Sequence, residues 1–130
     1  EMTSSLVGSE MCIRDSDSHN LIVAGTNDAD MVLAGNTVRK NKGGLAFALN
    51  GQVVGELPLP VAGLMSTESA ESVEEKLQAL KAALKAHGIS EDIDAFMTLA
   101  FVSLPVIPKL RLNTYGIVDV DAQRIVPAVF

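Results

Sequence analysis

The dipeptide Asn50-Gly51, set between Leu45–Leu49 and Gln52–Leu57, constrains this chain more than any other feature. Both residues readily take the positive φ values that a type I′ turn demands, and that turn matches the twist of two antiparallel strands. The stretch therefore predicts a β-hairpin. Pro58 and Pro60 lack backbone donors and end the pairing, so residues 58 to 66 are expected to run as an extended, tightly packed connection.

Upstream of the hairpin, Leu21-Ile22-Val23-Ala24 is a short apolar run closed by Gly25, the pattern of a buried strand. A helix is expected next. Asn27 can cap it, Asp28 and Asp30 suit the positive end of its dipole, and Met31, Gly35 and Val38 would share one face. Arg39, Lys40 and Lys42 suit the other end, and Gly43-Gly44 permit the left-handed backbone that stops a helix.

Downstream, Ser72 with Glu75 reads as a capping box, and Val73, Leu77, Leu80 and Leu84 recur at helical spacing. Lys81, Lys85, His87 and Gly88 mark that helix's end. Phe96 to Leu104 is apolar throughout, and periodicity does not separate a buried strand from a buried helix there; the reading leans to a strand. Short strands follow at 109–112, 117–120 and 124–126, with a turn at Asn113-Thr114-Tyr115-Gly116. The order suggests one α/β or α+β domain, a mixed sheet with two main helices.

With 48% hydrophobic residues and 20% charged, 130 residues suffice for a core. The net charge of −6 offers no basic stripe for phosphates, which argues against nucleic acid. No apolar run approaches the roughly 20 residues that a membrane helix takes, so a soluble, cytoplasmic protein is expected.

Leu6 to Ser16, Leu-Val-Gly-Ser-Glu-Met-Cys-Ile-Arg-Asp-Ser, resembles the translation of an adapter used in preparing DNA for sequencing. Residues 1–16 are accordingly set aside as a non-native, disordered segment, and residues 17–130 as the domain. The only cysteine, Cys12, falls in that segment. Disulfide, thiolate and cysteine-metal chemistry lapse with it.

Asp17-Ser18-His19-Asn20 is the one dense polar cluster beside a predicted buried strand. It could bind a metal or move a proton, or be merely the polar loop that enters the strand. Ser18 and His19 are adjacent, and nothing identifies a third group to orient the histidine, so no triad is read; a metal-independent hydrolase centred on His19 would need such a group. Gly25-Thr26-Asn27-Asp28 has the outline of an anion cradle, but Asp28 and Asp30 would repel a phosphate, leaving ordinary capping. His87 at a helix end is read as structural, and Glu68 to Glu75 as a solvated helix start. Two histidines and no His-x-His cannot assemble the metal site of a barrel hydrolase.

Three stretches in order carry a resemblance: Asp17 to Thr26 (DSHNLIVAGT), Glu56 to Ser66 (ELPLPVAGLMS) and Phe96 to Pro108 (FMTLAFVSLPVIP). With Gly43-Gly44 before the hairpin and Gly116-Ile117-Val118-Asp119-Val120 near the end, the chain from Asp17 to Phe130 resembles the C-terminal domain of adenine deaminases of the amidohydrolase superfamily. Residues 35–42 and those from Asp121 onward follow that pattern loosely.

The resemblance implies a parent enzyme of purine metabolism that hydrolyses adenine to hypoxanthine and ammonia. Its water is activated on manganese or iron held by an upstream barrel, and the domain packs on that barrel. This fragment would then bind no metal and be inactive alone. The resemblance also raises the reading in which Asp17, Ser18, His19 and Asn20 face the active-site mouth. The alternatives kept open are a stand-alone α/β module that docks another protein, and a homo-oligomer. An exposed apolar face would speak for the fragment, and a complete polar surface for the module.

Overall fold

The computed structural model describes residues 10–14, 21–90 and 93–127, the first of these as backbone only. In chain order the elements are β1 (Glu10–Arg14), β2 (Leu21–Ala24), α1 (Asp28–Lys40), β3 (Gly44–Leu49), β4 (Gln52–Pro58), α2 (Ala70–Ala86) and α3 (Ala95–Val102). A second group of strands follows: β5 (Leu110–Asn113), β6 (Gly116–Asp119) and β7 (Arg124–Val126). The domain is α+β. Its first sheet has the order β2-β1-β3-β4 and its second β5-β6-β7.

Alternation along β3 decides the layering, because successive side chains on a strand point to opposite faces. Ala46 and Ala48 are fully buried against Ala34 and Val38 of α1. Small side chains there let the helix lie close to the sheet. Phe47 points the other way, into a cluster with Leu57, Leu80 and Leu84 of α2, and Phe96 and Leu99 of α3. Sheet one is thus covered by α1 on one face and by α2 and α3 on the other. Burying a side chain such as Leu80 contributes about 1.5–3 kcal/mol, so this second cluster is the main core.

The hairpin forms as expected. Asn50 and Gly51 have φ of 52° and 76°, and Leu49 pairs with Gln52. The register shifts between Phe47 and Ala48, which pair with Gly55 and Val53 and leave Val54 as the extra residue of a bulge. Asn27 caps α1, its side chain accepting from the Ala29 amide, and Gly88 follows α2 with φ 94°. The second sheet lies where the three short strands were expected.

Several expectations are corrected. Both sheets are antiparallel in every hydrogen-bonded pair, and the described helices number three. The third is Ala95–Val102, a helix where the sequence pattern leans to a strand. Asp94 decides it: its carboxylate accepts from the Met97 amide and nucleates a turn that the apolar run continues. Val38 of α1 is buried as expected, but its companions on the buried face are Asp30 and Ala34, each one residue before the expected Met31 and Gly35. Helix α2 starts three residues earlier than the capping box implied. Ser69 is its cap, accepting from the Ser72 amide.

Residues 58 to 66 are not extended. Val61 and Met65 bridge across a tight turn in which Ala62 and Gly63 take positive φ. The left-handed residue closing α1 is Lys42, at φ 61°. Gly43 and Gly44 follow it at φ 134° and 122°, the positive values expected of them, and Gly44 serves closeness as well: a Cβ on it would stand 2.0 Å from the Leu57 carbonyl oxygen. Glu10–Arg14 forms β1 between β2 and β3, where both strands have open backbone groups. No helix among the described residues is long and apolar enough to cross a membrane.

Candidate functional site

Asp17, Ser18, His19 and Asn20 lie outside the described residues, and with them both readings of that cluster. The strand they lead into is placed. Leu21 opens β2, the outer strand of the first sheet. Beside it is a cavity of about 260 Å³, bounded by Leu21, Ile22 and Val23, by Val102 and Ser103 at the end of α3, and by Leu112, Asn113 and Thr114. The two sheets and the end of α3 therefore meet beside Leu21. Polar groups in these walls serve the fold itself: buried Ser103 donates its hydroxyl to the Ala100 carbonyl, and Asn113 Oδ1 accepts from the Tyr115 and Gly116 amides.

A larger cavity of about 460 Å³ separates α2 from α3. At its edge Lys81 Nζ stands 3.3 Å from Asp94 Oδ2. The Met97 amide, with Lys81 assisting, holds the Asp94 carboxyl below its ordinary value against a smaller opposing effect of burial. This is a helix cap with an ion pair attached, and it links the two helices.

The remaining titratable groups have structural partners. His87 Nδ1 is 2.7 Å from the Ala83 carbonyl, which can only accept, so the ring proton sits on Nδ1. The same ring meets Phe47 edge-on, with centroids 5.6 Å apart. The structural reading of His87 holds. Glu68 accepts from Lys76 and, at 2.6 Å, from the Ser72 hydroxyl, and these two bonds lower its pKa. The glutamates do form a solvated helix start. At the outlined anion cradle, Asn27 takes up the Ala29 amide with its side chain and the Met31 amide with its carbonyl, which is capping chemistry.

Asp30 is the functional-looking residue whose position the sequence did not reveal. It is 1% exposed, and its two oxygens accept from the Asn50 amide at 2.9 Å and the Gly51 amide at 2.7 Å. The Asn27 side-chain amide donates to it as well, at 3.2 Å. Twenty residues separate these partners, and no spacing rule connects a helix's first turn to a distant hairpin. All this acceptor capacity goes into architecture. Among the described residues no group of three or more His, Cys, Asp or Glu could hold a metal ion. The donor set described does not fit the manganese or iron of the resemblance.

Relatives supply what the site geometry does not. Residues 15–124 match the family described as adenine deaminase C-terminal domain. The chain is 56% identical over 104 residues to an adenine deaminase of Kosmotoga olearia, covering 80% of this chain and 18% of that protein. It is 50% identical over 111 residues to adenine deaminase 2 of Carboxydothermus hydrogenoformans, covering 85% and 20%. A Shigella sonnei adenine deaminase is 50% identical over 105 residues, covering 81% and 18%. The chain spans about a fifth of the length of these relatives. With β2 to β6 and all three described helices inside the matched span, this chain belongs to the adenine deaminase C-terminal domain family.

Proposed function

We propose that this domain is the non-catalytic C-terminal support of a cytoplasmic enzyme of purine catabolism that converts adenine and water to hypoxanthine and ammonia. In this reading, water activated on bound manganese or iron belongs to an upstream amidohydrolase barrel, and the present chain alone is inactive. The observation that carries the docking role is the surface of α3. Phe96, Leu99 and Ala100 are buried, yet the opposite side of the same helix exposes Met97 and Phe101, at 51% and 46%. A helix apolar on all sides is normally covered on all sides. Leu110 and Leu112 on β5 extend the exposed apolar surface. A stand-alone module would be expected to present polar residues there, which is why the fragment reading is preferred.

The polar cluster takes its place in the same reading. Asp17, Ser18, His19 and Asn20 immediately precede Leu21 in the sequence, Leu21 borders the cavity between the sheets, and a domain seated on a barrel would direct the four toward the active-site mouth. Adenine is the substrate of the whole enzyme, and the barrel is this domain's partner.

The test is a hybrid in which residues 17–130 replace the matching segment of the Kosmotoga olearia relative. The hybrid is expected to release hypoxanthine and ammonia from adenine, and the isolated chain to release neither. A folded, metal-loaded hybrid without activity, or an isolated chain with it, would overturn the assignment.

A further inference from the structure

Strand β1 stands in an unusual place relative to the family domain. β2 and β3 each pair antiparallel with β1, so they run parallel to each other one strand position apart, with α1 as the crossover between them. Neighbouring strands lie about 4.8 Å apart, which puts β2 and β3 roughly 9–10 Å from each other. A ladder bond closes at about 2.9 Å between nitrogen and oxygen, so these two strands cannot satisfy one another. Helix α1 packs over β1, β2 and β3, and α3 packs on β1 and β2. Unpaired N–H and C=O groups in such a slot would be sheltered from water, and each carries a free-energy cost of about 1–3 kcal/mol.

The span matched by the family begins at residue 15. It contains both walls of the slot and the helices that cover it, and it omits the strand that fills it. We propose that the gap between β2 and β3 is a strand-acceptor site built into this family's domain, and that its occupant is the extended segment immediately upstream. The slot is filled through backbone pairing, as in other cases of strand addition, and the occupant's strand propensity, poorest in Gly-rich segments, sets how well it holds. In this chain the occupant is Glu10–Arg14, paired from Met11↔Ala24 to Arg14↔Leu21 on one side and from Glu10↔Ala48 to Arg14↔Gly44 on the other. In the longer relatives the residues leading out of the upstream part would occupy it, making the domain's central sheet a joint product of two parts of the protein. The inference rests on family membership and the sheet topology, and not on any activity.

The experiment uses the full chain with positions 10–14 exchanged. One variant carries Gly-Ser-Gly-Ser-Gly, a second carries the five residues of the Kosmotoga olearia relative at the corresponding positions, and a third is Cys12→Pro. The Gly-Ser and proline variants should lower the melting midpoint by about 10 °C or more, as expected for several lost ladder bonds in a domain of this size. They should also speed amide exchange at Ile22 and Ala46, whose register partners on β1 are Ile13 and Cys12, by about 100-fold while leaving Val118 of the second sheet protected. The relative's segment should keep both midpoint and protection. A Gly-Ser variant as stable and as protected as the parent chain would refute the slot. A relative's segment that destabilises as much as Gly-Ser would refute its proposed occupant.

Discussion

Asp30 accepts the Gly51 amide at 2.7 Å, so a carboxylate in the first turn of α1 holds the tip of a hairpin twenty-one residues further along the chain. The neighbouring Asn50 amide binds the other oxygen. Crossover helix and hairpin are thereby fixed to each other at one buried point. Asp30→Ala would strip acceptors from two backbone donors at once, and it is expected to cost about 2–4 kcal/mol. Asp30→Asn should fall between, since its amide has one oxygen to offer. Urea denaturation of the three chains checks the order.

Gly44 and Gly51 both have positive φ but differ in surroundings. A Cβ at Gly44 would meet the Leu57 carbonyl oxygen at 2.0 Å, whereas nothing stands within 4 Å of one at Gly51. Gly51→Ala should cost only the backbone strain of about 1 kcal/mol. Gly44→Ala must also move β4, and a loss of about 3 kcal/mol or more is expected. Thermal melting of the two variants separates the effects.

Core and exposed face should respond differently in the isolated chain. Leu80→Ala empties a site that is 1% exposed, with an expected loss of about 2–5 kcal/mol. Phe101→Ser changes a side chain that is 46% exposed and should stay within about 1 kcal/mol. In the hybrid with the relative's upstream part, the same Phe101→Ser should lower adenine turnover or yield of folded protein. Equal behaviour of Phe101→Ser and parent chain in the hybrid would remove α3 from the docking surface.

The cap at Asp94 predicts a modest acid sensitivity. Its pKa is lowered in the fold, chiefly by the Met97 amide, so its stabilising effect is present above the unfolded value and fades as pH falls through the folded one. Because the side chain is 42% exposed, the effect is about 0.5–1 kcal/mol, after screening. Asp94→Ala should lower stability at pH 7 and lose that deficit below about pH 4, near where free aspartate titrates. Denaturation midpoints across pH 2 to 7 measure it.

His19→Ala in the hybrid addresses the polar cluster. If the cluster faces the active-site mouth, turnover should fall about 100-fold or more with metal content intact, the lower end of what a positioned acid–base group contributes. Unchanged turnover would leave Asp17 to Asn20 as the loop that enters β2.

What could be read from the chain itself was local. Asn50-Gly51 demanded a hairpin through its φ values, Asn27 and Gly88 marked helix ends, and Leu80 and Leu84 declared a buried stripe, each within a few residues of its cause. The quoted motifs also carried the family. Phe96 to Val102 is ambiguous because a run apolar at every position but Thr98 has no period to read, and only the Asp94 cap turns it into a helix. Three features depended on tertiary structure: the Asp30 bonds to the hairpin, the 2.0 Å approach that reserves position 44 for glycine, and the slot between β2 and β3. Each joins segments far apart in sequence, and neither propensity nor spacing carries information about which distant backbone a residue will meet.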